Sequence, residues 1–443
     1  MNVSTSSPRV EPQLPAVPRM SWSFFGLLLV ADQLLLPMLH VGSVPYKVSF
    51  LLCGLWLVDT LARPTHDRDN VRDFRRFATA LGLVVGCSLL GELWLAANYQ
   101  VSDYGQTIRS LLIYGLVMLA FGMGLSATRF RFEWLIPILF IAVALNMATI
   151  FLRSSIPSWF VDLYYSEQQV INLMDHGVVD SRSLLEMVRP RGLFSNPNVS
   201  AHMVNVIVLF IHLGLKHGRM RTPKPLVALG IVALPLVLSM LLASRGEFLV
   251  ALVLGVLNFR LVMQRSGAQA RLRLVLAVSL APVAAIVGLL RVVDVDTITE
   301  NWDRIVTIAD AVSKPNELSA DEEQLSGIAR PLLTLQRMWG RFQFSPLFGS
   351  GFSATAGPPF EAGTEFFHND WFRIIATSGL IGLAAMLWIV WCICAPFGWV
   401  AVIPFVLPAM VNTFMLAIPA FIFYFFMIGV LRSGGRTPGL RSA

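Results

Sequence analysis

The chain has 443 residues, 55% of them hydrophobic and 14% charged, and its mean hydropathy is +0.66. A soluble domain carries about 25% charged residues, so this composition excludes an ordinary soluble fold and points to a polytopic membrane protein. The formal net charge of +7 would suit a polyanion, but the basic residues lie in short connectors between apolar runs, which argues against a nucleic-acid partner.

A membrane helix needs about 20 apolar residues. In chain order, a polar, proline-rich stretch (1–21) is expected to be a disordered cytoplasmic N-terminus, with no small-residue cleavage site after the first apolar run. Residues 22–152 then read as helices one to five, with apolar runs at 24–39, 43–62, 77–97, 108–127 and 134–152. A polar loop (153–198) precedes helices six to nine in 199–291, with runs at 199–215, 225–243, 246–263 and 274–291. The longest polar stretch (292–370) follows, then helices ten to twelve in 371–431, divided at 371–394, 399–412 and 415–431, and a cytoplasmic tail (432–443). The expected architecture is all-α, with about twelve transmembrane helices and a partly helical periplasmic cap.

The connectors "RPTHDRDNVRDFRR", "RFR", "KHGRMRTPK" and "RSGAQARLR", and the tail, fall on one side if twelve helices alternate. That is the positive-inside pattern, and it puts both termini in the cytoplasm. The two long polar segments then lie outside. Within the second, 297–313 and 326–344 have helical spacing, with Pro331 in the first turn of the latter, where proline is tolerated. "SPLFGSGFSATAGPPF" (345–360) is a turn or loop. Cys53, Cys87, Cys392 and Cys394 lie in apolar runs without zinc or disulfide spacing and read as small apolar filler.

Outer-face arginines run against the positive-inside bias and need a reason. Arg189 and Arg191 precede "GLFSNPN", and Arg245 stands between two apolar runs. Charge at such a place defaults to a functional or paired role, and Glu247 makes a structural pair the alternative. Arg330, Arg337 and Arg341 share one helix face, either a solvated face or an anion site. Arginine suits phosphate because its planar fork makes paired, charge-assisted hydrogen bonds. In "SNPN", Ser195 or Asn198 can cap the sixth run, and a helix start favours an anion. His368 is a candidate general base by its ordinary pKa, with Asn369 and Asp370 beside it. Asp370 or Glu365 would orient it or serve as the base instead. His202 either lines the same cavity or is packed. "DVD" (294–296) is the one Asp-x-Asp pair in the outer segments, which leaves a metal site as a weak alternative.

"RPRGLFSNPNVSAHM" (189–203), "SRGEFLVALVLG" (244–255), "RPLLTLQRMWGRFQFSPLFGSGF" (330–352) and "FHNDWFRIIATSGLIGLAAML" (367–387), in this order, resemble the O-antigen ligase and polymerase superfamily of bacterial inner membranes. The resemblance covers roughly residues 185–395. It implies a fold similar to other lipid-sugar glycosyltransferases with many membrane helices and a periplasmic cap. It implies an undecaprenyl-pyrophosphate-linked glycan as donor and a periplasmic acceptor hydroxyl, on lipid A–core for a ligase or on a second lipid-linked glycan for a polymerase. It also implies no cofactor and no metal. Arg189, with Arg191, and Arg245 would hold the pyrophosphate and His368 would be catalytic. Arg330, Arg337, Arg341, Asn198, Asn369 and Asp370 would support them, and the turn 349–357 would close over the sugar. A transporter or flippase would instead need inverted repeats and mid-membrane charges, and a sensor would need a cytoplasmic output segment. Neither is evident.

Overall fold

The computed structural model describes residues 22–35, 39–41, 44–62, 68–99, 104–152, 155–157, 159, 192, 197–242, 244–269, 271–272, 329–352, 369–407 and 417–434. The described chain is helical apart from one small ribbon, β1 (Leu39–Val41) against β2 (Val44–Tyr46), antiparallel with Leu39 opposite Tyr46. The helices are α1 (Trp22–Leu35), α2 (Val48–Ala62), α3 (Arg68–Tyr99), α4 (Tyr104–Ser126), α5 (Leu135–Phe151) and α6 (Pro197–Lys216). They continue with α7 (Pro225–Leu241), α8 (Arg245–Arg265), α9 (Ala329–Phe344), α10 (Asp370–Ile389), α11 (Trp399–Val406) and α12 (Ile418–Gly434).

Six stretches among the described residues are helices long and apolar enough to cross a membrane: Arg68–Asn98, Thr107–Ser126, Phe132–Phe151, Pro197–Lys216, Gly246–Arg265 and Asp370–Phe397. Four apolar helices are shorter: Trp22–Leu35, Val48–Leu61, Pro225–Leu241 and Ile418–Ser433. Helix is the form expected here, because lipid offers the backbone no partners. The run expected at 274–291 and the helix at 297–313 lie outside the described residues. The run at 399–412 is described only through α11, whose eight residues rise about 12 Å and do not span. Of the expected cap, only α9 and the turn after it are described.

The centre of the bundle is set by α6 and α12, which are buried on nearly every face. A helix apolar all round belongs in a core rather than at its edge. Around Phe425 and Tyr424 the aromatic rings interlock: Phe77 lies 4.9 Å from Phe425, and Phe405 and Phe210 lie 5.4 and 5.5 Å from Tyr424. Where α12 crosses α4, Gly429 faces Gly124, and a Cβ on Gly429 would stand 3.0 Å from the Gly124 Cα. Small residues let membrane helices approach this closely.

The contacts between helix termini group them at two ends of the bundle. One is the basic end, where Arg68, Arg72, Arg75 and Arg76 line a recess. There Arg432, in the last turn of α12, pairs with Asp73 of α3 at 2.7 Å. It also donates to the Cys392 and Ile393 carbonyls at the end of the α10 segment, where a helix leaves its last carbonyls without intrahelical partners. Lys216 donates to the Phe397 carbonyl at the same end. α3 starts at Arg68, so the stretch 63–76 is not wholly a connector. Its second half continues the helix because no proline or glycine follows Pro64 there.

At the opposite end α1 joins α2 by reciprocal capping. Asp32 accepts from the Val48 and Ser49 backbone N–H groups at 3.2 and 2.9 Å. Lys47 donates to the Asp32 and Gln33 carbonyls at 2.7 and 3.3 Å. A carboxylate on free N–H groups and an ammonium on free carbonyls is the arrangement the helix dipole favours. It keeps two buried charges compensated.

Candidate active site

The starts of α6, α8 and α10 and the turn after α9 all lie at the end opposite the basic connectors. Three polar assemblies hold them in place.

The first joins α6 to α8. Ser244 precedes α8 and donates through Oγ to Asn198 Oδ1 at 2.8 Å. One turn further in, Glu247 is fully buried. Its Oε1 lies 2.7 Å from His202 Nδ1, and Asn205 Nδ2 donates to both its Oε2 and its carbonyl at 2.8 Å. The partner of Glu247 is therefore on α6, and His202 is packed against it. Asn198 lies inside α6, which begins at Pro197. Its side chain ties two helix starts together. Gly192 of the arginine motif has a left-handed φ of 72°. It packs so closely that a Cβ would stand 2.5 Å from Asn146 Oδ1 on α5 and 2.9 Å from Ser200 Oγ on α6.

The second assembly is the start of α10. Asn369 is its N-cap, with Oδ1 accepting from Trp371 N at 2.9 Å and Phe372 N at 3.1 Å. A cap of this kind contributes about 1 kcal/mol, so the asparagine following His368 fixes where the helix starts. Asp370 is fully buried at the first helical position, where a carboxylate is favoured. Trp371 Nε1 donates to the Phe405 carbonyl at 2.8 Å, holding α10 against α11.

The third assembly is the turn 345–352. A single helix over 371–394 is expected from the sequence, but α10 breaks at Gly379 (φ 64°, ψ −164°). The break exposes backbone groups at depth, and the turn satisfies them. Ser350 N and Gly351 N donate to the Ala376 and Thr377 carbonyls at 2.8 and 3.1 Å. Leu380 N and Ile381 N donate to the Pro346 and Leu347 carbonyls at 2.9 and 3.3 Å. Irregular backbone at membrane depth is tolerated only when protein covers it in this way. Gly349 and Gly351 also have left-handed φ, 74° and 87°, and both are buried against Gly91 and Glu92 of α3. Ser88 and Ser378, 2.7 Å apart, complete the junction.

This geometry changes two expectations. Gly349 to Phe352 are wedged between α3 and α10, so this part of the glycine-rich turn anchors the fold and does not close over a sugar. Residues 353–357 lie outside the described residues. Arg341 is not on a solvated face: it is 2% exposed and donates to Ser350 Oγ at 3.4 Å. Burial lowers its pKa to about 10, with the Glu92 carboxylate opposing the shift, so it remains a cation at neutral pH. Glu92 is a buried neighbour of Arg341 that the sequence analysis does not single out. Its signal was present, an acid inside the apolar run "GELWLAAN", where a charge defaults to a paired or functional role.

Arg189, Arg191 and His368 lie outside the described residues. Arg245 opens α8, and Arg330 and Arg337 lie on α9. Their backbones are described and their side chains are not. The structure thus brings Asn198 to the start of α8, and it sets Asn369 and Asp370 at the start of α10.

The fold and its polar end define a multi-pass, helical membrane protein with a broken helix sealed by a glycine-rich turn. A family model described as O-antigen ligase matches residues 230–387, and this match supports the resemblance to the O-antigen ligase and polymerase superfamily. The matched stretch includes Arg245, Arg330, Arg337, Arg341, His368, Asn369 and Asp370, and stops short of Arg189, Arg191 and Asn198. No curated protein and no solved structure matches the chain.

Proposed function

We propose that this protein is an inner-membrane glycosyltransferase. It moves a glycan from undecaprenyl pyrophosphate to an acceptor hydroxyl at the periplasmic end of the bundle, opposite the basic connectors. The observation that carries this reading is the O-antigen ligase match over residues 230–387, which takes in the two helix starts bearing Ser244–Arg245 and His368–Asn369–Asp370. The acceptor in this reading is lipid A–core, making the protein a ligase of lipopolysaccharide biosynthesis. A polymerase of the same superfamily would use a second lipid-linked glycan at the same site.

Arg189, Arg191 and Arg245 hold the donor pyrophosphate, and the dipoles of α6 and α8, whose starts adjoin, favour the same anion. His368 takes the proton from the acceptor hydroxyl. The hydroxyl oxygen forms its bond to the anomeric carbon from the face opposite the pyrophosphate. The old carbon–oxygen bond breaks, its electron pair leaves with undecaprenyl pyrophosphate, and configuration inverts. The arginines stabilise charge growing on the leaving group, and holding both lipid-anchored substrates in register supplies much of the rate. No metal takes part in this scheme.

The test is transfer in proteoliposomes with an undecaprenyl-pyrophosphate-linked glycan and lipid A–core. His368→Ala is expected to lower transfer by about 10²–10⁴-fold, the usual worth of a general base, and Arg245→Lys is expected to be impaired despite its unchanged charge. Wild-type transfer by a folded His368→Ala protein would remove the base. Product appearing only on a second lipid-linked glycan would make the protein a polymerase.

A further inference from the structure

The first turns of α3 carry Arg68, Arg72, Arg75 and Arg76, all exposed, around an open recess of about 450 Å³. Their spacing keeps them within about a third of the helix circumference, on one face. Arg72 pairs with Asp69 at 3.0 Å, but both side chains are half exposed, so solvent screens the pair. Asp73 is turned inward and pairs with Arg432. Among the described residues Arg68, Arg75 and Arg76 make no ion pair. Residues 63–76 hold five arginines and three aspartates in all, and the basic segments 216–224, 265–273 and 435–443 contain no acid. The face is a net cation.

The same face runs on along α3. Gly82 and Gly86 stand in line with Arg75, and a Cβ on either would meet nothing within 4 Å among the described residues. Leu83, Leu90 and Leu93, exposed on the same side, border the shallow trough that these glycines leave. Two observations fix the depth of the arginines. From Arg76 to Trp94 the helix rises about 27 Å, close to the roughly 30 Å of a bilayer's hydrocarbon core. Arg432 also ties Asp73 to the Cys392 and Ile393 carbonyls, which sets the arginines level with Trp391, 76% exposed. Exposed tryptophans mark the membrane interface, so the stripe begins at the depth of lipid phosphates.

We propose that this face of α3 binds an anionic glycerophospholipid from the leaflet at the basic end. Arg72, Arg75 and Arg76 hold its phosphodiester, because their planar forks make paired, charge-assisted hydrogen bonds to phosphate oxygens. One acyl chain lies in the trough over Gly82 and Gly86. A second copy of the chain is the other occupant that such glycines admit. Copies in one membrane share an orientation, so a symmetric pair packed there would set the two arginine stripes against each other. That repulsion favours the lipid. The site lies at the opposite end of the bundle from the proposed transfer site and does not depend on it.

The purified full chain, stripped of lipid in detergent, is titrated with phosphatidylglycerol and with phosphatidylcholine, with glycerol phosphate as a soluble competitor. Native mass spectrometry counts bound lipids and chain copies. Phosphatidylglycerol is expected to bind about tenfold more tightly than phosphatidylcholine, the scale of an anionic lipid meeting a few arginines. Arg72→Gln/Arg75→Gln/Arg76→Gln should lose that preference. Arg72→Lys/Arg75→Lys/Arg76→Lys keeps the charge and should retain part of it, which separates lost charge from lost folding. Gly82→Leu/Gly86→Leu fills the trough and should weaken phosphatidylglycerol severalfold with the arginines intact. Equal binding of the two lipids, an unchanged preference without the three arginines, or unchanged affinity with the trough filled overturns the site. Full displacement by glycerol phosphate overturns the lipid source. A lipid-free dimer that Gly82→Leu/Gly86→Leu abolishes overturns it too, and assigns the face to a second copy.

Discussion

Gly91 and Gly86 lie on the same helix, α3, and only tertiary structure distinguishes them. In an exposed helix interior, glycine to alanine stabilises by about 1 kcal/mol, because alanine has less backbone entropy to lose. A Cβ at Gly86 would meet nothing within 4 Å, so Gly86→Ala is expected to gain up to that amount. A Cβ at Gly91 would stand 2.5 Å from the Gly349 carbonyl oxygen and 2.7 Å from the Gly351 nitrogen. Both are backbone atoms of the turn that seals the break in α10, so no flexible side chain can move aside. Overpacking of this kind costs about 1–3 kcal/mol. Displacing the turn also weakens the bonds from Ser350 N and Gly351 N to the Ala376 and Thr377 carbonyls, at about 0.5–1.5 kcal/mol each. Set against the helix gain of about 1 kcal/mol, Gly91→Ala should destabilise by about 1–5 kcal/mol net. Thermal unfolding of the purified protein in detergent, followed by intrinsic tryptophan fluorescence, compares the two variants directly. If Gly91→Ala unfolds at or above the temperature of Gly86→Ala, the turn does not pack on α3 as described.

Two further perturbations probe the ends of the bundle. Glu247→Ala removes the common acceptor of His202 and Asn205 in a fully buried site, and leaving two donors unsatisfied should cost about 2–5 kcal/mol. Its equilibrium unfolding midpoint should fall well below that of wild type, and an unchanged midpoint contradicts the α6–α8 network. At the basic end, a double-mutant cycle between Asp73→Ala and Arg432→Gln should give a coupling of about 1–3 kcal/mol, because Asp73 is 1% exposed and the pair is 2.7 Å long. A coupling near zero would mean that the contact contributes nothing to joining α3 and α12.

Much of the chain's organisation was legible from the residues alone. Apolar runs separated by basic connectors are a composition signal, and they survive any rearrangement of packing. The helix at 326–344 was also visible in spacing, with Pro331 in its first turn. The break at Gly379 was not. A glycine in an apolar run reads as a small helical residue until another segment arrives to accept and donate the freed hydrogen bonds, and that segment lies some thirty residues earlier, at 346–351. The fate of Arg341 was hidden for the same reason. Its spacing with Arg330 and Arg337 marks one face of a helix, but which face meets Glu92 depends on how α9 lies on α3.

By itself the sequence determined that the protein is helical and membrane-bound, which segments are apolar enough to pass through lipid, and which arginine and histidine motifs resemble those of O-antigen ligases. Those properties are local, carried by the transfer energies of individual side chains and by short ordered patterns. Tertiary structure alone decided that Glu247 is the partner of His202, that the glycine-rich turn is a wedge, and that Arg341 is buried against Ser350. Such pairings join residues far apart in the chain, and they form because buried polar groups must find partners that only packing brings within reach.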